Sequence, residues 1–120
     1  MFYKGDLEDF MNTTFEEIAA LKENWNGYGA KPISPAVILR AREFYKKSGI
    51  NLDFMSPTAR DTIQFECQAS VNYLEVEIYP RSFHLYLVDR NDNWSYEGHF
   101  KYTEEDYKKV RKIIEFFSTT

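Results

Sequence analysis

The sequence predicts an α+β domain in two layers, in which helices cover one face of an antiparallel sheet. Two observations predict it. Hydrophobic residues recur with the helical period near both ends of the chain, and with a period of two over residues 63–100. The predicted order is two N-terminal helices, a four-stranded antiparallel meander and a C-terminal helix, all in one domain of residues 1–120.

The first predicted helix begins at Thr14, because Thr14-Phe15-Glu16-Glu17 has the pattern of a capping box. In that motif the Glu17 amide donates to the Thr14 hydroxyl. The apolar residues that follow at helical spacing are Phe15, Ile18, Leu21 and Trp25. Gly27 is placed to end the helix in the left-handed conformation. A short preceding turn or helix is expected on the apolar residues Phe2, Tyr3, Leu7 and Phe10.

The connector that follows, residues 24–35, is rich in glycine, proline and aromatic residues, which indicates a specific shape. Its Gly27 and Gly29 permit positive φ, but a third glycine is missing and a helix precedes them, so a nucleotide-binding loop is not predicted. Binding residues often lie on loops held by a scaffold. Tyr28 and Lys31 are therefore candidate partner contacts, although the connector also has a purely architectural interpretation.

The second helix begins at Ser34-Pro35, with serine as the cap and proline at the first position, and ends at Gly49. Its predicted buried stripe is Val37, Ile38, Ala41, Phe44 and Tyr45. Residues 50–61 are predicted to be an extended connector. The last helix is capped by Thr103, with acidic residues in its first turn, where the helix dipole favours them. Its buried face is predicted to be Tyr107, Val110, Ile114 and Phe117.

Four strands lie between the second and last helices. Their core-facing residues are Ile63, Phe65 and Cys67; Leu74, Val76 and Ile78; Phe83, Leu85 and Leu87; and Trp94, Tyr96 and Phe100. If the second and third of these strands share a core face, Glu77 falls opposite His84 or Tyr86, and Glu66 falls opposite Glu75. His84 is also expected to approach Glu97.

The outer, solvent-facing side of this sheet carries the remaining candidate partner-binding residues. They are Glu66, Glu75, Glu77, Tyr79, His84 and Tyr86. Carboxylates mixed with aromatic rings are common in protein interfaces. A histidine between carboxylates also permits general acid–base catalysis, but no catalytic residues are assigned, because no nucleophile motif or oxyanion donor accompanies it. A plain solvated sheet face is the third interpretation.

Composition narrows the function further. The net charge of −4 and the scattered basic residues argue against nucleic acid, and a partner protein with a basic surface is more compatible. Cys67, the single cysteine, is predicted to be a buried hydrophobic residue rather than a reactive thiol. With one cysteine and two histidines, no metal site and no cofactor are predicted. Without a signal peptide or membrane span, the sequence predicts no membrane contact and a cytoplasmic location.

Residues 24–34 resemble a segment of small bacterial and phage-borne proteins, Asn-Trp-[Asn/Asp]-Gly-x-Gly-Ala-x-Pro-Ile-Ser, which a helix and a few strands follow. Ala41 and Phe44 match in that helix, and residues 63–66 match more loosely. The likeness covers about a third of the chain. At residues 60–62 this chain has Arg-Asp-Thr where those proteins have a glycine-containing approach to the first strand. The resemblance implies a bacterial or phage origin and no established activity.

Small acidic proteins of mobile elements often serve as antitoxins, immunity proteins or inhibitors of host defence. The function expected here is therefore a non-enzymatic protein-binding module of that kind. Two alternatives stay open: a small-ligand binder or hydrolytic enzyme that uses His84 with flanking carboxylates, and a structural homodimer formed through an edge strand or the surplus of aromatic residues.

Overall fold

The computed structural model describes residues 4–119, with side chains for residues 8–117. The helices are α1 (Lys4–Ala19), α2 (Pro35–Ser48) and α3 (Glu104–Thr119). The strands are β1 (Phe54–Thr58), β2 (Thr62–Ala69), β3 (Asn72–Ile78), β4 (Phe83–Asp89) and β5 (Trp94–Phe100). Within the described residues, no helix combines the length and the apolar character needed to cross a bilayer.

The strands form one antiparallel sheet in the order β1-β2-β3-β4-β5, which confirms the α+β class. The predicted number of four strands was wrong, because β1 lies in the segment that was predicted to be a connector. β1 has only five residues, includes Pro57 and lacks a clean alternation of apolar and polar residues. Such a strand is tolerated at the edge of a sheet, where its proline does not interrupt an interior ladder.

The start and end of the first helix also differ from the prediction. α1 begins ten residues before Thr14, so the Thr14 hydroxyl donates to the Phe10 carbonyl at 3.0 Å instead of capping the helix. α1 ends at Ala19, which places Trp25 and Gly27 in the connector. A Thr-x-x-Glu pattern inside a longer helix cannot be told from a cap by sequence alone. Of the expected preceding segment, Phe2 and Tyr3 lie outside the described residues.

The other two helices begin where they were predicted to, but the Ser34 hydroxyl, predicted to cap α2, makes no capping hydrogen bond. Ser34 has extended backbone angles before Pro35, and Gly49 ends α2 with a φ of 75°. Thr103 accepts a hydrogen bond from the Asp106 amide at 3.2 Å, as expected of a cap. The four residues predicted to face the core from α3 are all buried.

The core lies between the helices and the inner face of the sheet. Phe44 of α2 is fully buried at its centre. Its ring centroid lies 5.6 Å from that of Phe65, 4.9 Å from that of Phe83 and 6.3 Å from that of Tyr107. One α2 ring therefore joins β2, β4 and α3, and such aromatic pairs add stability beyond the area they bury.

Cys67 lies in this core as predicted, with 3% of its surface exposed. Burial raises the pKa of its thiol to about 12, and the nearby Asp53 carboxylate acts in the same direction. Because the thiolate is the nucleophilic form, Cys67 is unreactive near neutral pH.

Candidate functional site

The connector between α1 and α2 is closed by its own hydrogen bonds. The Asn24 amide donates to the Ala30 carbonyl at 2.7 Å, and the Gly29 amide donates to the Asn24 side-chain oxygen at 2.6 Å. Asn24, Gly27 and Gly29 have φ values of 63°, 78° and 85°. Asparagine and glycine are the residues that adopt this left-handed conformation most readily. The sequence therefore encodes a tightly folded loop, residues 24–31, which we call the connector loop.

Two further side chains hold the connector loop in shape. Asn26 accepts hydrogen bonds from the amides of Tyr28 and Ala30, at 2.9 and 3.1 Å. The Trp25 indole donates to the Lys31 carbonyl at 2.7 Å. Because the backbone on both sides of Tyr28 is held in this way, the Tyr28 ring stands out from an ordered loop with 93% of its surface exposed.

The two candidate contacts of the connector loop differ in their surroundings. The Lys31 ammonium group lies 3.0 Å from the Glu23 carboxylate in an exposed ion pair, which contributes little stability. Tyr28 projects into solvent. The end of the connector is attached to the sheet, since the Ser34 amide donates to the Asp61 carboxylate at 2.7 Å in the β1–β2 turn. The loop is thus anchored to both layers of the fold.

The outer face of the sheet has the parity that the alternation predicted, and the register selects His84 of the two partners expected for Glu77. Glu77 lies opposite His84, Glu66 lies opposite Glu75, and Tyr86 lies beside Glu75. Tyr79, the other candidate, lies one residue beyond β3. Its amide donates to the Ser82 carbonyl at 2.9 Å and closes the β3–β4 hairpin. All six candidates of this face are partly buried.

Glu77 is the most strongly engaged carboxylate of this face. Arg60 donates to it at 3.0 Å, and Thr62 donates to it as well. Burial alone would raise the pKa of Glu77, but the hydrogen bonds from Thr62 and Arg60 outweigh burial and lower the pKa. Sequence reasoning missed Arg60, because it lies in a turn and reaches Glu77 across β2.

Glu75 has an aromatic neighbour on its own strand. The Tyr73 hydroxyl donates to the Glu75 carboxylate at 3.0 Å, and the Arg90 guanidinium lies 5.4 Å from the Tyr73 ring centroid. Burial raises the pKa of Tyr73, and the hydrogen bond to Glu75 raises it further. Tyr73 was not among the predicted residues, although its parity with Glu75 and Glu77 places it on the same face.

His84 lies between an imidazole and a carboxylate. Its ring centroid is 4.6 Å from that of His99, which is directly opposite on β5, and its Nε2 atom is 3.5 Å from Glu97 Oε1. The expected approach to Glu97 is confirmed. The neighbouring Glu77 is bound to Arg60, so Glu97 is the carboxylate that approaches His84. Among the described residues, no three histidine, cysteine or acidic side chains are arranged to hold a metal ion.

A third surface lies at the end of the sheet beside β5. Apolar side chains of β4, β5 and α3 form an open groove of about 410 Å³, lined by Leu87, Trp94, Tyr96, Ile113, Phe116 and the stem of Lys112. Trp94 and Tyr96 belong to the inner face by parity, yet they are 39% and 41% exposed because α3 covers them only in part. We call this surface the β5 groove. The sequence analysis had placed Trp94 and Tyr96 in the core.

Comparison with known proteins assigns neither a family nor a function to this chain. No protein-family model matches the chain, and no curated protein or solved structure matches it.

Proposed function

We propose that this chain is a non-enzymatic protein-binding module that acts by occupying the surface of a partner protein. The observation that carries the proposal is the exposed Tyr28 ring on the hydrogen-bonded connector loop. An exposed tyrosine on a backbone held by hydrogen bonds offers a large contact area, and tyrosine is enriched among the residues that dominate binding energy.

The charge of the outer sheet face supports a partner with a basic surface. Four carboxylates lie on this face, those of Glu66, Glu75, Glu77 and Glu97. Only Glu77 is paired with a guanidinium group, that of Arg60, among the ion pairs of the described residues. Electrostatic complementarity of this kind accelerates encounter and selects partners.

The biological role that we propose is that of an antitoxin-like, immunity-like or host-defence-inhibiting protein of a bacterium or phage. The resemblance of residues 24–34 supports the origin. The net charge of −4 supports a basic target, as in other acidic proteins that neutralise one. Cytoplasmic action belongs to the same proposal.

The test is quantitative affinity capture from cells of the source organism with the wild-type chain and two variants as baits. Tyr28→Ala removes the exposed ring, and Glu66→Lys combined with Glu75→Lys reverses two charges of the outer face. We expect each variant to reduce recovery of the main captured protein at least about tenfold, the loss typical of an interface residue that dominates binding.

The matched control is Leu39→Ala, which removes another exposed apolar side chain, on α2. Recovery with this control should equal that of the wild type. If the same proteins are recovered equally with all four baits, neither surface binds a partner and the proposal is wrong. Glu77 is left unchanged, because its replacement would also break the bonds from Arg60 and Thr62.

A further inference from the structure

The two edges of the sheet differ in their capacity to pair with another strand. β1 is short and contains Pro57, which has no amide hydrogen to donate. β5 has seven residues, contains neither proline nor lysine, and pairs only with β4 within the described residues. An unblocked edge of this kind is a template for a further strand.

The hydrogen-bond pattern shows which residues of β5 face that open edge. Tyr79 bonds to Ser82, so this pair is one of the closely spaced pairs of the β3–β4 ladder. Closely and widely spaced pairs alternate along an antiparallel ladder, and a residue that bonds to one neighbouring strand turns its amide and carbonyl away from the other. His84, Tyr86 and Val88 of β4 therefore bond to β3, and the residues between them bond to β5. On β5, the backbone groups of Ser95, Glu97 and His99 consequently point away from β4.

The side chains of these outward-facing residues are complementary to themselves. Glu97 is 64% exposed and His99 is also exposed, two residues apart on the same face of β5. A two-fold interface requires that residue i contacts residue j while j contacts i. With the axis beside Gly98, Glu97 lies opposite His99 of the partner subunit, and this contact occurs twice.

Two neighbouring registers of two β5 strands, with the axis at Glu97 or at Tyr96, are less favourable. An axis at Glu97 places two carboxylates directly opposite each other, which is destabilising. An axis at Tyr96 places Glu97 opposite a serine, so the contact between carboxylate and imidazole is absent. We propose that two copies of this chain associate through antiparallel pairing of β5 about an axis at Gly98, which joins their sheets into one.

The β5 groove lies along this edge and supplies the apolar part of the interface. Trp94, Tyr96 and Phe116 are 39%, 41% and 50% exposed. Since a large ring has about 150–250 Å² of surface, they offer roughly 250 Å² per copy. Two copies supply roughly half of the ~1,000 Å² that a specific interface needs, and the strand edges must supply the rest. The dimer is therefore weak, with a dissociation constant in about the micromolar range.

Sedimentation velocity of the full chain over about 1–200 µM tests the association. We expect the mean mass to rise from one chain to two across this range. A mass of one chain at every concentration would overturn the proposal. Ser95→Pro removes an amide that points to the open edge at the end of the proposed ladder and should weaken the dimer, whereas Ser95→Ala should preserve it.

Charge exchange tests the register without altering the backbone. Glu97→Lys and His99→Glu should each weaken the dimer about threefold to tenfold, because the altered contact occurs twice. The double variant places the introduced lysine opposite the introduced glutamate of the other copy, so opposite charges face each other across the axis and dimerisation should be restored. The contact of Glu97 with His84 is lost in both the single Glu97→Lys variant and the double variant, so it does not account for such a recovery.

Glu66→Lys is the control, since it makes the same charge change on the same face but three strands away. It should leave dimerisation unchanged. Circular dichroism and thermal melting verify that each variant is folded. If a folded Ser95→Pro chain still dimerises like the wild type, or if the double variant is no better than the single ones, the proposed pairing is wrong.

Discussion

Glu77 illustrates how neighbouring side chains determine the state of one carboxylate. Sequence parity placed it on the outer face opposite His84 or Tyr86, and in the structure it lies opposite His84. The side chain is bound within the chain by Arg60 and Thr62. Its folded-state pKa is lowered, so the charged form stabilises the fold.

The first prediction concerns the pH dependence of stability. A carboxyl group with a lowered folded-state pKa contributes stability that is present above its unfolded pKa, about 4.3, and that is lost as the pH falls through the folded pKa. Urea unfolding should therefore show that the wild type loses about 1 kcal/mol more than Glu77→Gln as the pH falls below about 4. As a control, Glu115→Gln at an exposed position should leave the fall in unfolding free energy at low pH unchanged. An equal fall for the wild type and Glu77→Gln would contradict the assignment.

At the scale of elements, the connector loop shows why some features can be predicted and others cannot. Gly27 and Gly29 were recognised as residues for positive φ, and both adopt it. Asn24 was not recognised as a residue with positive φ, because asparagine is common in many other conformations. Its role follows from the bonds that its backbone and side chain make across the loop to Ala30 and Gly29.

The second prediction separates the two contributions of Asn24. Asn24→Ala removes the bond to the Gly29 amide and places an alanine in the left-handed region, and it should cost about 2 kcal/mol. Asn24→Gly removes only the bond and should cost about 1 kcal/mol. Urea unfolding gives the stabilities, and hydrogen exchange at the Gly29 amide reports loosening of the loop. Equal losses in the two variants would show that the backbone conformation contributes nothing.

At the scale of the molecule, the two layers are joined by rings that come from distant parts of the chain. Phe44 of α2 contacts Phe65 and Phe83 of the sheet and Tyr107 of α3. Each of these residues was predicted to face the core from its local period. Their meeting at one point follows from the packing of elements, which local patterns do not encode.

The third prediction tests this junction. Phe44→Ala leaves a large cavity among three other rings and should lower the free energy of unfolding by about 3–5 kcal/mol. Phe54→Ala removes the same side chain at an exposed site on β1 and should cost less than about 0.5 kcal/mol. Denaturant unfolding followed by circular dichroism measures both. Similar losses at the two positions would contradict the placement of Phe44 at the centre of the core.

The fold class, four strands with the parity of their faces, and two helix starts could be predicted because each follows from short-range periodicity or a capping residue. β1 could not be predicted, because Pro57 is atypical of a strand and because this strand is stabilised by its pairing with β2. The candidate outer face was predicted from parity, whereas Arg60 and Tyr73 were missed. Their contacts with Glu77 and Glu75 depend on how a turn is placed and on which rotamers are selected, and neither leaves a periodic signal.

The unequal edges of the sheet have a consequence for assembly. A sheet with two open edges can add copies without limit, and this is how fibrils grow. Here Pro57 leaves one edge without an amide donor, and the proposed dimer pairs the other edge, β5. Pairing between two β5 strands consumes both open edges, so growth stops at two chains. In the proposed dimer, a single proline in a short, poorly patterned strand would thus oppose further polymerisation through the sheet.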